Sequence, residues 1–183
     1  MPHHKTTALL IFLACSVFLV ACATQPPVIG TDDGWRARGK FSYSSEETRE
    51  SGNFDWRQNG QEYRIRLYGP LGLGAVQING NDRQVSLKSS KEEYSARHPE
   101  TLFYETTGMH LPLTDIPGWL RGQPSAFHTE HTELDANGRI MRAFVQGWHL
   151  EYKNYSDDNP LPKEVVAMQD DKTLRLIVLN WEE

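Results

Sequence analysis

The chain has 183 residues, with 19 Lys and Arg against 24 Asp and Glu, a formal net charge of −5 and two cysteines. That length is one domain's worth, with enough interior for a real core. The acidic balance argues against nucleic acid as a partner and against charge as the means of holding an anionic membrane surface.

The first segment, Met1-Pro2-His3-His4-Lys5 followed by "TTALLIFLACSVFLVA" over residues 6–21, is a basic head before an apolar run too short for a comfortable membrane span. It reads as a secretory signal. Leu19-Val20-Ala21-Cys22 matches the bacterial lipobox, in which the cysteine becomes the lipidated first residue of the mature chain. The expected boundaries are therefore a signal over 1–21, a lipidated tether over 22–34 and a folded domain over 35–183. Cys15 leaves with the signal and Cys22 carries lipid, so burial alone must stabilise the domain. The mature part loses Lys5 and has a net charge of −6. Its tether, "ATQPPVIGTDDG", spans roughly 20 Å if flexible.

From Trp35 the period becomes two. Trp35, Ala37, Gly39, Phe41 and Tyr43 share one face, and Arg36, Arg38, Lys40, Ser42 and Ser44 the other. Phe54 and Trp56 continue the pattern after the "SSEE" turn, and Asn59-Gly60 signals a hairpin before Tyr63, Ile65 and Leu67. In "LYGPLGLGAVQI", residues 67–78, Gly69-Pro70 is turn chemistry, which puts Leu71 at or near a hairpin tip, either folded back onto its own sheet or left bare. Val76 and Ile78 resume the strand pattern, Asn79-Gly80-Asn81-Asp82 turns into Val85 and Leu87, and a short piece surrounds Tyr94.

After His98 the period changes. "HPETLFYETTGM" predicts a helix beginning near Pro99 and closing at Gly108. "LPLTDIPGWLRGQP" predicts a second, with Thr114 as N-cap, Pro117 in the first turn and Gly122 as the stop. Strands return at about 127–134, 139–145, 148–155, 163–169 and 173–181. The prediction is mainly β: about eleven strands in an antiparallel meander that must curl toward a barrel, with two short helices after the sixth.

No catalytic or metal constellation emerges from the motifs. His128 and His131 lie three apart in the expected strand and so face opposite ways, while His98, His110 and His149 stand in separate contexts. Acidic pairs fall at turns, no Gly-x-Ser-x-Gly is present, and Gly69, Gly72 and Gly74 precede a strand, not a helix N-terminus. Neither an enzyme nor a cofactor is expected. What the chain has in excess is apolar bulk on alternating strand positions, and a wide curled sheet encloses more volume than its own side chains need. The candidate lining of such a cavity is Phe41, Tyr43, Phe54, Trp56, Ile65, Leu67, Ile78, Trp148, Leu150 and Leu176 from strands, with Leu102, Met109, Ile116, Trp119 and Leu120 from the helix pair.

Four stretches in order, "RGKFSY" (38–43), "FDWRQNGQEYRIRLYGPLG" (54–72), "TGMHLPLTDIPGWLRGQP" (107–124) and "LNW" (179–181), behind a lipobox, closely resemble the LolB family of Gram-negative lipoprotein receptors. The resemblance implies an open, incomplete antiparallel β-barrel whose hydrophobic cavity is covered by helices. It also implies acceptance of lipoproteins from a soluble periplasmic carrier, LolA, and insertion of their acyl chains into the outer membrane. The expected partners are thus that carrier, cargo acyl chains and the bilayer, with the protein a lipid-anchored monomer facing the periplasm. The family's protruding loop aligns with Pro70, Leu71, Gly72 and Leu73, which gives Leu71 the membrane-inserting role. In one respect the chain departs from the family's pattern: only about a dozen residues separate Cys22 from Trp35, where relatives carry a longer segment that forms a helix; Ala23, which is not the aspartate of inner-membrane retention, agrees with outer-membrane placement. A lipid-binding envelope lipoprotein without insertion activity is the rival reading.

Overall fold

Two runs of alternating apolar residues, separated by a helical insert, build a single eleven-stranded antiparallel sheet. The computed structural model describes residues 34–182 apart from 71–73, 82, 157 and 158. Cys22, the signal and most of the tether lie outside the described residues, as do Leu71, Gly72 and Leu73.

The first run gives β1 (Gly34–Ser44), β2 (Arg49–Asn59), β3 (Glu62–Tyr68), β4 (Val76–Gly80), β5 (Val85–Lys88) and β6 (Glu93–Ala96). The helices α1 (Pro99–Thr107) and α2 (Ile116–Leu120) follow. The second run gives β7 (Thr129–Leu134), β8 (Ile140–Val145), β9 (Trp148–Lys153), β10 (Glu164–Gln169) and β11 (Lys172–Glu182). Spatial order is β6-β5-β4-β3-β2-β1-β11-β10-β9-β8-β7. Each run is a meander, and the two are sewn together where the first strand pairs with the last, Arg36 opposite Glu182 and Tyr43 opposite Leu174. The barrel is not closed: its free edges are β6 and β7, the strands on either side of the helical insert.

A β-bulge between Arg38 and Gly39 breaks the β1–β11 register, and an extra residue there sharpens the local twist. Gly39 is required by the close approach, because a Cβ would stand 1.9 Å from the Ile177 carbonyl oxygen and 2.9 Å from the Phe54 ring. The expected alternation holds along these strands. Ala37, Tyr43, Phe54, Trp56, Tyr63, Ile65, Leu174 and Leu176 are buried, while Lys40, Arg57 and Arg66 are exposed.

The insert follows the sequence closely at its first helix and less closely after it. Pro99 opens α1, and Gly108 ends it in the left-handed region at φ 71, its N–H bonded to the Tyr104 carbonyl. The N-cap of α2 is Asp115 instead of Thr114. The Thr114 hydroxyl is diverted, donating to Glu100 Oε1 at 3.1 Å. Strand β7 starts at Thr129, later than expected, because residues 125–128 turn through a His128 N–H to Ser125 carbonyl bond and leave Phe127 98% exposed. His128 therefore precedes the strand, and its Nδ1 lies 3.7 Å from Asp115 Oδ1. Strand β9 stops at Lys153, because Asn154 takes a positive φ of 60° and turns the chain.

Candidate functional site

The concave face of the sheet is closed over by the insert. Helix α1 packs on β5 and β6, and α2 reaches across to β10. The chain between them, residues 108–115, crosses the mouth with Met109, Leu111 and Leu113 all buried. Polar ties hold this roof down at its margins. Thr48 Oγ1 donates to the Gly108 carbonyl at 3.4 Å, the His110 N–H donates to the Tyr43 hydroxyl at 3.3 Å, and Glu100 accepts from both the N–H and the hydroxyl of Thr114.

Beneath the roof lies one apolar hollow. Its walls are Phe41 of β1, Phe54 and Trp56 of β2, Ile65 and Leu67 of β3, Ile78 of β4, and Leu174 and Leu176 of β11. Its ceiling is Phe103, Met109, Leu111, Leu113, Ile116 and Leu120. Every one of these side chains is hydrocarbon or thioether except for the indole of Trp56, whose Nε1–H is satisfied by the Gln58 side chain at 2.9 Å. The hollow offers no hydrogen-bond partner to an ion or a polar substrate, and an apolar void of this kind stays dry. Its volume is about 40 Å³, on the order of a few water molecules and far less than an acyl chain fills.

The curled sheet thus leaves less free space than its width suggests, because the roof's own leucines occupy it. Of the predicted lining, Phe41, Phe54, Trp56, Ile65, Leu67, Ile78, Met109, Ile116, Leu120 and Leu176 surround the hollow. Tyr43, Leu102, Trp119, Trp148 and Leu150 do not surround it, although all five are buried. Tyr43 sits at the rim beneath His110, and Trp119 packs on Trp148 at 5.6 Å against the second half of the sheet. Phe103, Leu111, Leu113 and Leu174 complete the lining. The signal for Leu174 is its alternation with Leu176, whereas Leu111 and Leu113 lie in irregular, turning chain between helices.

One end of the hollow is stopped by aromatic rings. Trp35 stacks on Trp56 at 6.4 Å and meets Trp181 edge-on at 5.5 Å, and the Arg121 guanidinium lies 5.9 Å over the Trp35 ring. Tyr63 extends the cluster, 6.2 Å from Trp56. Burial and the nearby Glu100 charge push the Tyr63 phenol up to about 12, so it stays protonated. At the opposite end, Leu67 pairs with Val76 at the base of the 69–75 loop, whose Pro70 is exposed. Gly74 in that loop takes φ 65° with open space around it.

Among the described residues no group of three His, Cys, Asp or Glu side chains converges on a point, and no helix is long and apolar enough to cross a membrane.

Comparison with known proteins identifies the family. Residues 33–181 match the family model described as outer membrane lipoprotein LolB. The chain is 28% identical over 194 residues to an outer-membrane lipoprotein LolB of Francisella tularensis subsp. tularensis, an alignment covering 96% of this chain and 94% of that protein. It is 34% identical over 152 residues to the Pseudomonas fluorescens LolB, covering 81% of this chain and 74% of that one. For Pseudomonas aeruginosa LolB the figures are 33% over 153 residues, 82% and 75%. A solved LolA superfamily protein from Nitrosomonas europaea aligns at a TM-score of 0.48 with 8% identity, over 84% of this chain and 87% of that one. With the family matched across nearly all of the described residues, and with relatives above 30% identity covering four fifths of its length, the chain belongs to the LolB family of outer-membrane lipoproteins.

Proposed function

We propose that this protein is a lipoprotein receptor. It is anchored through lipidated Cys22 in the outer membrane, faces the periplasm, takes lipoproteins from a LolA-like carrier and delivers their acyl chains to the bilayer. The observation that carries the reading is the apolar hollow beneath a thinly tied roof. A dozen acyl methylenes bared to water cost on the order of 10 kcal/mol, so the cargo must pass from one apolar site to the next without meeting solvent.

The ceiling side chains stand in the resting protein where the acyl chains would lie. Cargo enters by exchange: Met109, Leu111 and Leu113 swing out with the 108–115 segment as the acyl chain takes their place. The displaced side chains stay out of water by packing along the incoming acyl chain, so most of their burial, about 1.5–3 kcal/mol each, is kept. The ties to be broken are a few hydrogen bonds, those of Gly108 and His110 part-buried and those of Thr114 exposed, each worth about 1 kcal/mol or less. No nucleotide or metal is needed for this exchange. The loop tip, Pro70-Leu71-Gly72-Leu73, acts at the last step, as an apolar wedge in the membrane.

The deciding experiment mixes LolA loaded with a lipoprotein and the lipid-anchored chain in liposomes, and follows the cargo into the bilayer. Net transfer is the expected result. Uptake of a fluorescent fatty acid with no transfer from the carrier would make the protein a generic lipid binder, and absence of both would end the receptor reading.

A further inference from the structure

The chain is acidic as a whole, yet the outward face of β1–β3 is not. Arg36, Arg38 and Lys40 of β1, Arg57 of β2, and Arg64 and Arg66 of β3 all lie on that face. The carboxylates among them are Asp55, Glu62 and Glu182. Arg36 stands directly opposite Arg57 across one strand pair, and Arg57 directly opposite Arg64 across the next. Like charges in facing positions destabilise a sheet, so three arginines in one row are a cost that folding does not explain. Asp55 offsets part of it, accepting from Arg36 Nε at 2.8 Å and lying 3.8 Å from Arg57. Glu182 pairs with Arg36 and Arg38. Among the described residues the guanidinium of Arg64 donates to the Asn79 side chain at 3.1 Å, and that of Arg66 lies over the Tyr68 ring at 5.3 Å.

Apolar groups project into the same face. Leu179, the extra residue of the β1–β11 bulge, is 67% exposed beside Arg38, and half-buried Ile177 pairs with Lys40. Guanidinium groups that bind phosphate oxygens bidentately, set among an exposed leucine and a tyrosine, suit the boundary between lipid headgroups and acyl chains. The chain outside the described residues also leads here. It joins the domain at Gly34, two residues before Arg36, after a tether of about a dozen residues from Cys22, which spans roughly 20 Å.

We propose that the outward face of β1–β3 is a membrane-docking surface that binds the phosphates of anionic phospholipid headgroups. The net acidity of the chain does not oppose this, because at physiological salt charges farther than about 8 Å from the bilayer are screened. The inference relies on the Cys22 anchor only to bring a bilayer within reach. The interaction itself belongs to the folded domain, so its failure would leave the receptor reading intact.

The test uses the unlipidated chain from residue 23, which keeps every residue of the core among those described. It is sedimented with vesicles of phosphatidylcholine alone and with vesicles also containing phosphatidylglycerol. Binding is expected only to the second kind, and it should weaken steeply as salt rises. The triple variant Arg57→Gln, Arg64→Gln, Arg66→Gln should lose about a hundredfold in affinity. Its melting temperature should be unchanged or raised, because the facing like charges are gone. The double variant Arg142→Gln, Lys153→Gln, on the other half of the sheet, should bind as the parent does. Equal binding to both vesicle types, no binding to either, or equal losses from the two variant sets would overturn the proposal. So would a triple variant that binds vesicles normally but no longer takes cargo from the carrier, which would make the face a protein-docking surface.

Discussion

The backbone N–H of His110 donates to the hydroxyl of Tyr43 at 3.3 Å, joining the middle of the roof to the rim of β1 across 67 residues of chain. The bond is long for an N–H donor, so it contributes toward the lower end of the usual range, about 0.5 kcal/mol. Tyr43→Phe keeps the buried ring and removes only this tie. Global stability measured by chemical denaturation should fall by about that amount. Fatty-acid probe uptake measured by stopped flow should become a few-fold faster, because the roof lifts more easily.

Leu113 and Leu150 are both buried leucines, one in the ceiling of the hollow and one in the filled half of the sheet. Alanine at either site should cost roughly 2–4 kcal/mol, from lost transfer energy plus a residual cavity. The two variants part on binding. Leu113→Ala enlarges a space that connects with the hollow and should raise probe occupancy at a fixed probe concentration. Leu150→Ala makes a separate void and should leave occupancy at the parent level.

Gly39 admits no side chain against Ile177 and Phe54. Gly39→Ala forces β1 and β11 apart where the two meanders join, and should lower the melting temperature by about 10 °C or more, a loss on the order of 3 kcal/mol or above. Circular dichroism on heating reads the shift directly. A variant melting with the parent would show that the bulge relaxes freely.

Leu71 carries the proposed wedge. Leu71→Glu should retain carrier-to-receptor transfer and probe uptake while delivery to liposomes drops at least tenfold, the cost of taking a carboxylate into the acyl region. Delivery equal to that of the parent would remove the wedge assignment.

Asp55 sets an acid limit. Burial alone would raise its carboxyl, but the hydrogen bonds and charge of Arg36, together with the charges of Arg57 and Arg38, outweigh that and hold it below the usual carboxylate value. A group with a depressed folded pKa stabilises the fold above its unfolded pKa of about 4, and that contribution is lost as pH falls further. Asp55→Asn should lower stability at pH 7 and flatten the decline below about pH 4, as read by urea titrations at several pH values. In the vesicle assay the same variant should bind more tightly, since the basic face has lost a counter-charge.

The strands were legible because β1, β2, β3 and β11 alternate almost without exception, and the turns between them carry Asn-Gly, Asp-Asp or Gly-Pro chemistry. A period of two says which way a side chain points but not how far around a curved sheet it lies. For that reason Trp148 and Leu150, inward-facing like Phe54 and Ile65, were expected at the hollow and do not line it: Trp148 packs on Trp119, and Leu150 is buried in β9. Helix α1 announced itself through Pro99 and Gly108. Leu111 and Leu113 gave no such warning, since irregular chain turning between two helices has no period to read. The row of facing arginines was visible only as alternating charge, because strand register is a tertiary fact.

Pairing of β1 with β11 has a consequence for biogenesis. A chain that emerges N-terminus first presents β1 with one edge bare, and the partner of that edge emerges some 140 residues later. Such a long loop makes that pairing slow and leaves the half-sheet prone to mispairing while it waits. Until residues 172–182 arrive, the wall built by Leu174 and Leu176 is missing and the hollow stands open along that side, so a newly translocated copy cannot hold fatty cargo there before β11 has docked.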